Sequence, residues 1–296
     1  MKLKLGFLLL GIYVAVFSCK QDELVEATNE DSSNSSKFRV AATVRSTSTT
    51  SFTRSDAKYT QSMADTDFGN FDSDYFTKDN AYNRSNELRV RIPSNTRAGK
   101  EGTRGSGFRG DIDVADGTSY RLTYKIKFDS NFKWSRGGKC GFGIIIGEGL
   151  SGCGDVTGRG ASLRLMWYSP KNEYGKTPED SYAYFHPYLY TSKKVDGECG
   201  TDFDTKYENI KKNTWYTVEM TVTSNSGSNA NGKVLVKING TEVLNKNNIL
   251  WTTNDSYRKI TKVNTNNFRG GSSDYWMADT DGYIYYDDVK FERLAN

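Results

Sequence analysis

Residues 120–128 alternate without a break: Tyr120, Leu122, Tyr124, Ile126 and Phe128 are aromatic or aliphatic, and Arg121, Thr123, Lys125 and Lys127 are polar. A period of two sends one set to a buried face and the other to water, which is the signature of a strand covered on one side. The same rhythm returns in Glu87-Leu88-Arg89-Val90-Arg91-Ile92, which stops at Pro93, and in residues 161–168, 181–190 and 215–222. Lys233-Val234-Leu235-Val236-Lys237-Ile238 then meets Asn239-Gly240, a strong hairpin signal. The chain closes on Gly282-Tyr283-Ile284-Tyr285-Tyr286 and Val289-Lys290-Phe291. No long segment spaces its apolar residues as a helix does. Many short antiparallel strands predict an all-β fold, a jelly-roll β-sandwich of two antiparallel sheets. Residues 94–110 read as a glycine-rich, basic loop.

The N-terminus predicts export. Lys2 and Lys4 precede an apolar stretch, residues 5–17, too short to span a bilayer comfortably. Val16-Phe17-Ser18-Cys19 resembles a bacterial lipobox, whose cysteine is lipidated, and Lys20-Gln21-Asp22-Glu23 resembles the stretch that follows it in surface-exposed lipoproteins of some Gram-negative bacteria. The expectation is a signal peptide over 1–18, a lipid anchor at Cys19 in a bacterial (outer) membrane, a flexible tether over 19–50 rich in Ser, Thr, Asn and Asp, and one β domain over 51–296. Ordinary secretion and an uncleaved anchor are the rival readings.

Three cysteines remain after Cys19, in a compartment that permits a disulfide. Cys140–Cys153 is the preferred pair of the three, because it would staple the glycine-rich segment that follows Lys139. No CxxC occurs and the single histidine lies elsewhere, so neither a zinc site nor any other cofactor is expected. Net charge is +4, or +2 once Lys2 and Lys4 are lost. Without a continuous basic tract this does not suit nucleic acid, although a mild positive bias favours a soluble polyanion. The acidic pairs Asp65/Asp67, Asp72/Asp74 and Asp279/Asp281 read as turns and match no calcium loop.

Three segments concentrate polar groups. Trp134-Ser135-Arg136-Gly137-Gly138-Lys139 reads as a glycine-rich turn. In the run from Ala161 to Trp167, Ser162 and Arg164 share one face, and in the run from Ser181 to Tyr190 so do Tyr182, Tyr184, His186, Tyr188 and Tyr190. A cation, a hydroxyl and a row of phenols suggest a groove for an acidic sugar chain. Arg121, Lys125 and Lys127 either extend that groove or form a solvated outer face.

Trp134-x-x-Gly-Gly-Lys139, Ser162-x-Arg164, Tyr182-x-Tyr184 and the closing Phe268-Arg269-Gly270-Gly271…Asp281-Gly282-Tyr283-Ile284-Tyr285 together resemble polysaccharide lyase family 14, over roughly residues 85–293. The family comprises alginate and glucuronan lyases with a β-jelly-roll fold. After the lysine it commonly has Leu-Pro-Gly where this chain has Cys140-Gly141-Phe142-Gly143, a difference that bears on substrate choice. The resemblance implies β-elimination at a 4-linked uronate: neutralise the C6 carboxylate, remove the C5 proton and protonate the departing O4. Arg164 suits the carboxylate, since a guanidinium grips it as a fork. Lys139 either shares that task or, with its pKa depressed by Arg164, is the base. Ser162 would bond the carboxylate or a ring hydroxyl. Tyr184 is the first candidate for proton transfer, with Tyr182 beside it. His186 is either a base or a rim residue that binds substrate with Tyr188 and Arg136. A phenol with a free pKa of about 10 needs about 2.7 kcal/mol to ionise at pH 8. One cation about 4 Å away supplies roughly 4 kcal/mol before desolvation is subtracted.

The rival reading is a carbohydrate-binding lipoprotein on the same fold without catalysis. A laminarinase-type hydrolase would need paired carboxylates, and no Glu-x-Asp-x-x-Glu strand occurs. Asn86-Glu87-Leu88-Arg89 resembles part of another alginate lyase signature, whose companion Gln-x-His is missing.

Overall fold

The computed structural model describes residues 44–72, 80–98, 106–169, 182–194, 198–201, 203 and 205–296. Residues 1–18 and Cys19 lie outside them, as do 73–79, 99–105 and 170–181. Fifteen strands are described: β1 (Thr47–Thr50), β2 (Ala57–Lys58), β3 (Asn70–Asp72), β4 (Ala81–Arg84), β5 (Glu87–Ile92), β6 (Ser106–Gly117), β7 (Ser119–Phe128), β8 (Gly137–Gly147), β9 (Gly160–Tyr168), β10 (Tyr184–Tyr190), β11 (Tyr216–Thr223), β12 (Gly232–Ile238), β13 (Thr241–Ile249), β14 (Ile260–Arg269) and β15 (Gly282–Ala295). One helix, α1 (Gln61–Phe68), is capped by the Thr60 hydroxyl, which accepts from Met63 N.

The strands form two antiparallel sheets. One has nine strands in the order β13-β12-β11-β7-β15-β5-β4-β2, with β1 added on β15; the other has six in the order β10-β9-β8-β14-β6-β3. The alternation that announced β7 is borne out: Tyr120, Leu122, Tyr124, Ile126 and Phe128 are all fully buried. They meet Phe142, Ile144, Leu163, Leu165, Trp167 and Phe185 from the six-stranded sheet in one continuous core. Phe128, Phe132, Trp134 and Trp167 pack edge to face at 4.8–5.7 Å, closing one end of it. The Asn239-Gly240 hairpin is present, with φ of 49° and 77° as a two-residue turn between right-twisted strands requires.

Three expectations are corrected. Residues 47–50, assigned to the tether, form β1 and pair with β15, because Ser48 and Thr50 turn inward and donate their hydroxyls to Asp67 O. The basic loop 94–110 gives way to β6 from Ser106 onward. The glycine-rich turn is a turn only at Ser135 (φ 46°); from Gly137 it is the start of β8, in the middle of the sheet. The glycines are there for close packing. A Cβ on Gly138 would lie 2.2 Å from Phe268 O and 2.3 Å from the Trp167 ring.

Arg121, Lys125 and Lys127 lie on the nine-stranded sheet and pair with Glu292, Asp288 and Glu87. They form a solvated outer face on the opposite sheet from Arg164 and Lys139. Of the acidic pairs, Asp67 is held by Arg54 and Tyr59, Asp279 by Lys133 and Asp281 by Arg91, and Asp74 lies outside the described residues.

Candidate active site

The outer face of the six-stranded sheet assembles the polar segments by register. Lys139 of β8 stands opposite Met166 of β9, which stands opposite His186 of β10. One step along, Arg164 faces Tyr188; one step further, Ser162 faces Tyr190; in the other direction Tyr168 faces Tyr184. Apolar partners on the alternate positions fill the core, so everything polar here points one way.

The centre of the face is Lys139, only 8% exposed. Its Nζ lies 4.5 Å from the Tyr188 ring centre, 5.7 Å from Tyr190 and 5.6 Å from Phe268, with Met166 Sδ at 3.8 Å. Burial, and then the Arg164 and Arg109 charges, lower its pKa from 10.5 to about 7. An amine in this setting is largely neutral just above neutral pH, and so able to accept a proton. Burial also lowers Arg164, with Arg109 adding to the effect and Tyr190 and Asp111 opposing it. The Arg164 guanidinium lies 5.4 Å from the Tyr190 ring, and its Nε is buried without a hydrogen-bond partner.

Tyr190 shows which effect wins for a phenol. Arg164, a Gly152 backbone N–H and the Tyr188 hydroxyl all favour its ionised form, yet burial outweighs them and its pKa is raised. The expectation that one cation suffices omitted desolvation, and at this position desolvation decides. Burial thus works against an ionised Tyr190, whereas it favours a neutral Lys139 amine.

Tyr184 and Tyr182, the first candidates for proton transfer, stand elsewhere. By register Tyr184 and Tyr188 flank His186 symmetrically, two residues to either side of the Lys139 line, and it is the Lys139 side chain that chooses between them by lying against the Tyr188 ring. The Tyr184 ring stacks on Tyr168 at 5.9 Å and contacts Tyr182 at 6.1 Å, with Lys206 Nζ 5.2 Å away. Tyr168 also meets Trp276 at 5.9 Å, and the Arg136 guanidinium lies 5.2 Å from Tyr168 and 5.9 Å from Trp276 while donating to Ser169 O. This is an aromatic platform with two cations, suited to the apolar face of a sugar ring. Tyr168 and Trp276 were missed in the sequence reading; the first extends the Ser162/Arg164 face and was legible, whereas the second sits in a short 3₁₀ turn, Asp274–Trp276, with no periodicity to flag it.

Ser162 does not face the groove as a free hydroxyl. It is fully buried and donates to Leu150 O at 2.7 Å, so it anchors the β8–β9 loop. His186 is 6% exposed and packs between Tyr168 and Tyr188, at 5.8 and 6.2 Å. Its Nδ1 lies 2.7 Å from Thr205 O, which requires the proton on Nδ1 and orients the ring as a support for Tyr188.

The disulfide joins Cys153 to Cys199, not to Cys140. Cys140 is mid-strand on the core face, 2% exposed, and its thiol pKa is pushed up by burial. Cys153 is on the exposed β8–β9 loop. The bond fastens that loop to the segment following β10, and Lys194 Nζ strengthens the link by donating to Gly154 O and Glu198 O at 2.8 Å. Gly152, whose N–H reaches Tyr190, is the residue before Cys153.

A second buried arginine shapes the site from behind. Arg269 is fully buried; it donates to Lys133 O and to the Ser135 hydroxyl, at 2.8 and 2.6 Å, and holds the turn from which β8 starts. In the Phe268-Arg269-Gly270-Gly271 segment, Phe268 therefore contacts the site and Arg269 supports it.

The two tyrosines separate by experiment. Tyr188→Phe, beside Lys139, is expected to lower kcat by about tenfold or more. Tyr184→Phe keeps its ring stack and is expected to stay within about threefold of the parent. Equal losses would contradict the assignment.

A buried amine of lowered pKa, the Arg164 guanidinium and an aromatic platform share one face of the six-stranded sheet, an arrangement suited to an acidic sugar polymer. The model of the family described as polysaccharide lyase 14 matches residues 80–289, most of the chain. The chain belongs to that family and is a polysaccharide lyase. It is 35% identical to alginate lyase Aly36B, with a TM-score of 0.75 and 86% of this chain and 99% of that one covered; that structure is a mutant with a lysine and a tyrosine changed to alanine, in complex with alginate tetrasaccharide. Alginate lyase vAL-1 from a Chlorella virus shares the fold at 18% identity and a TM-score of 0.55, over 86% of this chain and 93% of that one. An exolysin of Paramecium bursaria Chlorella virus 1 is 26% identical over 192 residues, 59% of this chain. The match spans 29% of that viral protein.

Proposed function

We propose that the polymer is alginate and that Lys139 is the base. The observation that carries this is the buried Lys139 amine, with its pKa lowered to about 7, between Arg164 and the Tyr188 ring. Arg164 pairs with the C6 carboxylate and holds the charge that flows into it when the C5 proton leaves. Neutral Lys139 takes that proton, the C5 electron pair becomes the C4=C5 double bond, and the C4–O4 bond breaks. O4 leaves with a proton returned from the Lys139 ammonium, with the Tyr188 hydroxyl adjacent to it. Tyr168, Tyr182, Tyr184, Trp276 and Arg136 carry the neighbouring sugar. The relative's complex supports the polymer assigned: it holds an alginate tetrasaccharide when a lysine and a tyrosine are replaced.

The test is absorbance near 235 nm from the unsaturated product on poly-mannuronate, poly-guluronate and glucuronan. Product from the alginate blocks, exceeding that from glucuronan, is expected. Product from glucuronan alone would overturn the choice of polymer.

We propose also that the chain is exported and lipid-anchored at Cys19 to a bacterial outer membrane, as Lys2, Lys4 and the Val16-Phe17-Ser18-Cys19 segment suggest. In a bacterial host, labelled palmitate should enter the parent and not Cys19→Ser, which should leave the membrane fraction. An unlabelled, soluble parent would contradict the anchor.

A further inference from the structure

Beside Arg164, on the side away from the aromatic platform, the six-stranded face opens into a cavity of ≈ 700 Å³, within the range of about 300–1,000 Å³ typical of small-molecule sites. Its lining includes Arg109, Arg164, Asn264 and Asn266 together with Asp72, Asp111 and Glu148, and Asp111 stands opposite Asn264 in the strand register. Two unpaired polar atoms point to a ligand here.

Asn264 is 4% exposed, and its Oδ1 is buried with no hydrogen-bond partner. A buried acceptor left unpaired costs about 1–3 kcal/mol, a penalty that a ligand hydroxyl would remove. Arg164 Nε is unpaired in the same lining. The position of the Asn264 oxygen depends on a glycine: a Cβ on Gly143 would lie 2.5 Å from Leu163 O, 2.7 Å from Asn264 Oδ1 and 3.4 Å from Arg164 Cγ. This is the Cys140-Gly141-Phe142-Gly143 segment in which the chain departs from the commoner pattern of its family.

The charges point to the ligand's class. Arg109 and Lys139 lie against the same ring, Phe268, at 5.4 and 5.6 Å. Arg109 also acts on both Lys139 and Arg164, so the three cations form one cluster. One substrate carboxylate on Arg164 leaves this cluster still positive, and a 4-linked uronate chain carries a carboxylate on the next residue too. The lysine of the lining, Lys262, is turned to Asp111 and Asp113 at 3.4 and 3.8 Å.

We infer that this cavity is a subsite for the uronate residue adjoining the cleaved bond, with Arg109 pairing its carboxylate and Asn264 Oδ1 accepting one of its hydroxyls. The inference rests on the lyase reading above and adds two substrate-binding residues to it. Both were hidden in the sequence, Arg109 in a stretch that reads as loop and Asn264 in a strand without alternation.

The experiment measures binding of alginate tri- and tetrasaccharides to the Lys139→Ala protein, which does not turn them over, with and without Arg109→Gln. The tetrasaccharide should bind tighter than the trisaccharide in the Lys139→Ala parent, and Arg109→Gln should remove that gain, about 10- to 100-fold in affinity. In the otherwise native enzyme the same substitution should act mainly on KM, and should move the low-pH limb of the rate profile upward because a charge near Lys139 is gone. Asn264→Asp, nearly isosteric, places a carboxylate against the substrate's own; it should weaken binding similarly and serves if Arg109→Gln does not fold. An unchanged length dependence in both variants would overturn the subsite. Absence of any unsaturated product from the native enzyme would instead overturn the lyase reading, so the two failures are distinguishable.

Discussion

Replacing Lys139 with methionine is expected to lower kcat by about 10²–10⁴-fold, the usual worth of a positioned general base. Methionine fills the volume of the lysine stem, so the strand and its neighbours should persist. Lys139→Arg should not rescue activity, because a guanidinium does not give up its proton in the working range. The same substitution should alter stability in a defined direction. The folded state lowers the Lys139 pKa from 10.5 to about 7. Between those two values the unfolded chain therefore binds more protons than the native one, and stability rises with pH, by about 1.4 kcal/mol per unit at most. Below pH 7 the folded protein holds a buried charge and bears the full penalty. Lys139→Met should accordingly be more stable than the parent at low pH, with the gap narrowing from pH 7 towards 10. Denaturant midpoints of the two proteins across that range measure it, and a constant gap would show that the lysine is not desolvated.

Arg164→Gln is expected to cost about 10²–10³-fold, with the loss in kcat exceeding that in KM. The substrate carboxylate is charged before the reaction, and more charge gathers on it as the C5 proton leaves. A guanidinium that pairs with it thus stabilises the transition state more than the ground state. Arg164→Lys should recover little, since an ammonium cannot bind both oxygens as a fork. Steady-state kinetics on one alginate block decide the matter. A variant that raises KM alone would reduce Arg164 to a binding residue.

The two-sheet architecture was legible because a period of two survives any choice of partner strand. Tyr120 to Phe128 and Ala161 to Trp167 announce their buried faces from sequence alone, and the structure agrees. The same logic placed Ser162, Arg164 and the tyrosine row on one side. It could not say which tyrosine neighbours the lysine. That depends on the register Lys139–Met166–His186, a tertiary property: Tyr184 and Tyr188 lie two residues to either side of His186, and a slip of two would bring either one opposite the lysine without altering any alternation. Gly137 and Gly138 misled for a related reason: glycine marks turns, and equally marks strands pressed against a large ring such as Trp167. The direction of the phenol's pKa was beyond sequence as well. Charge can be counted along a chain, but desolvation is set by the folded surroundings, and it reverses the outcome at Tyr190.

The central claim is that a neutral lysine removes the C5 proton, and the pH dependence of kcat/KM on an alginate block tests it most directly. The account predicts a single rising limb with its midpoint near pH 7, moving with the Lys139 pKa when Arg109 is replaced, followed by a plateau on the alkaline side. A limb near pH 10, or one near pH 7 that persists in the residual activity of Lys139→Met, would contradict it and return the proton to a phenol or to His186.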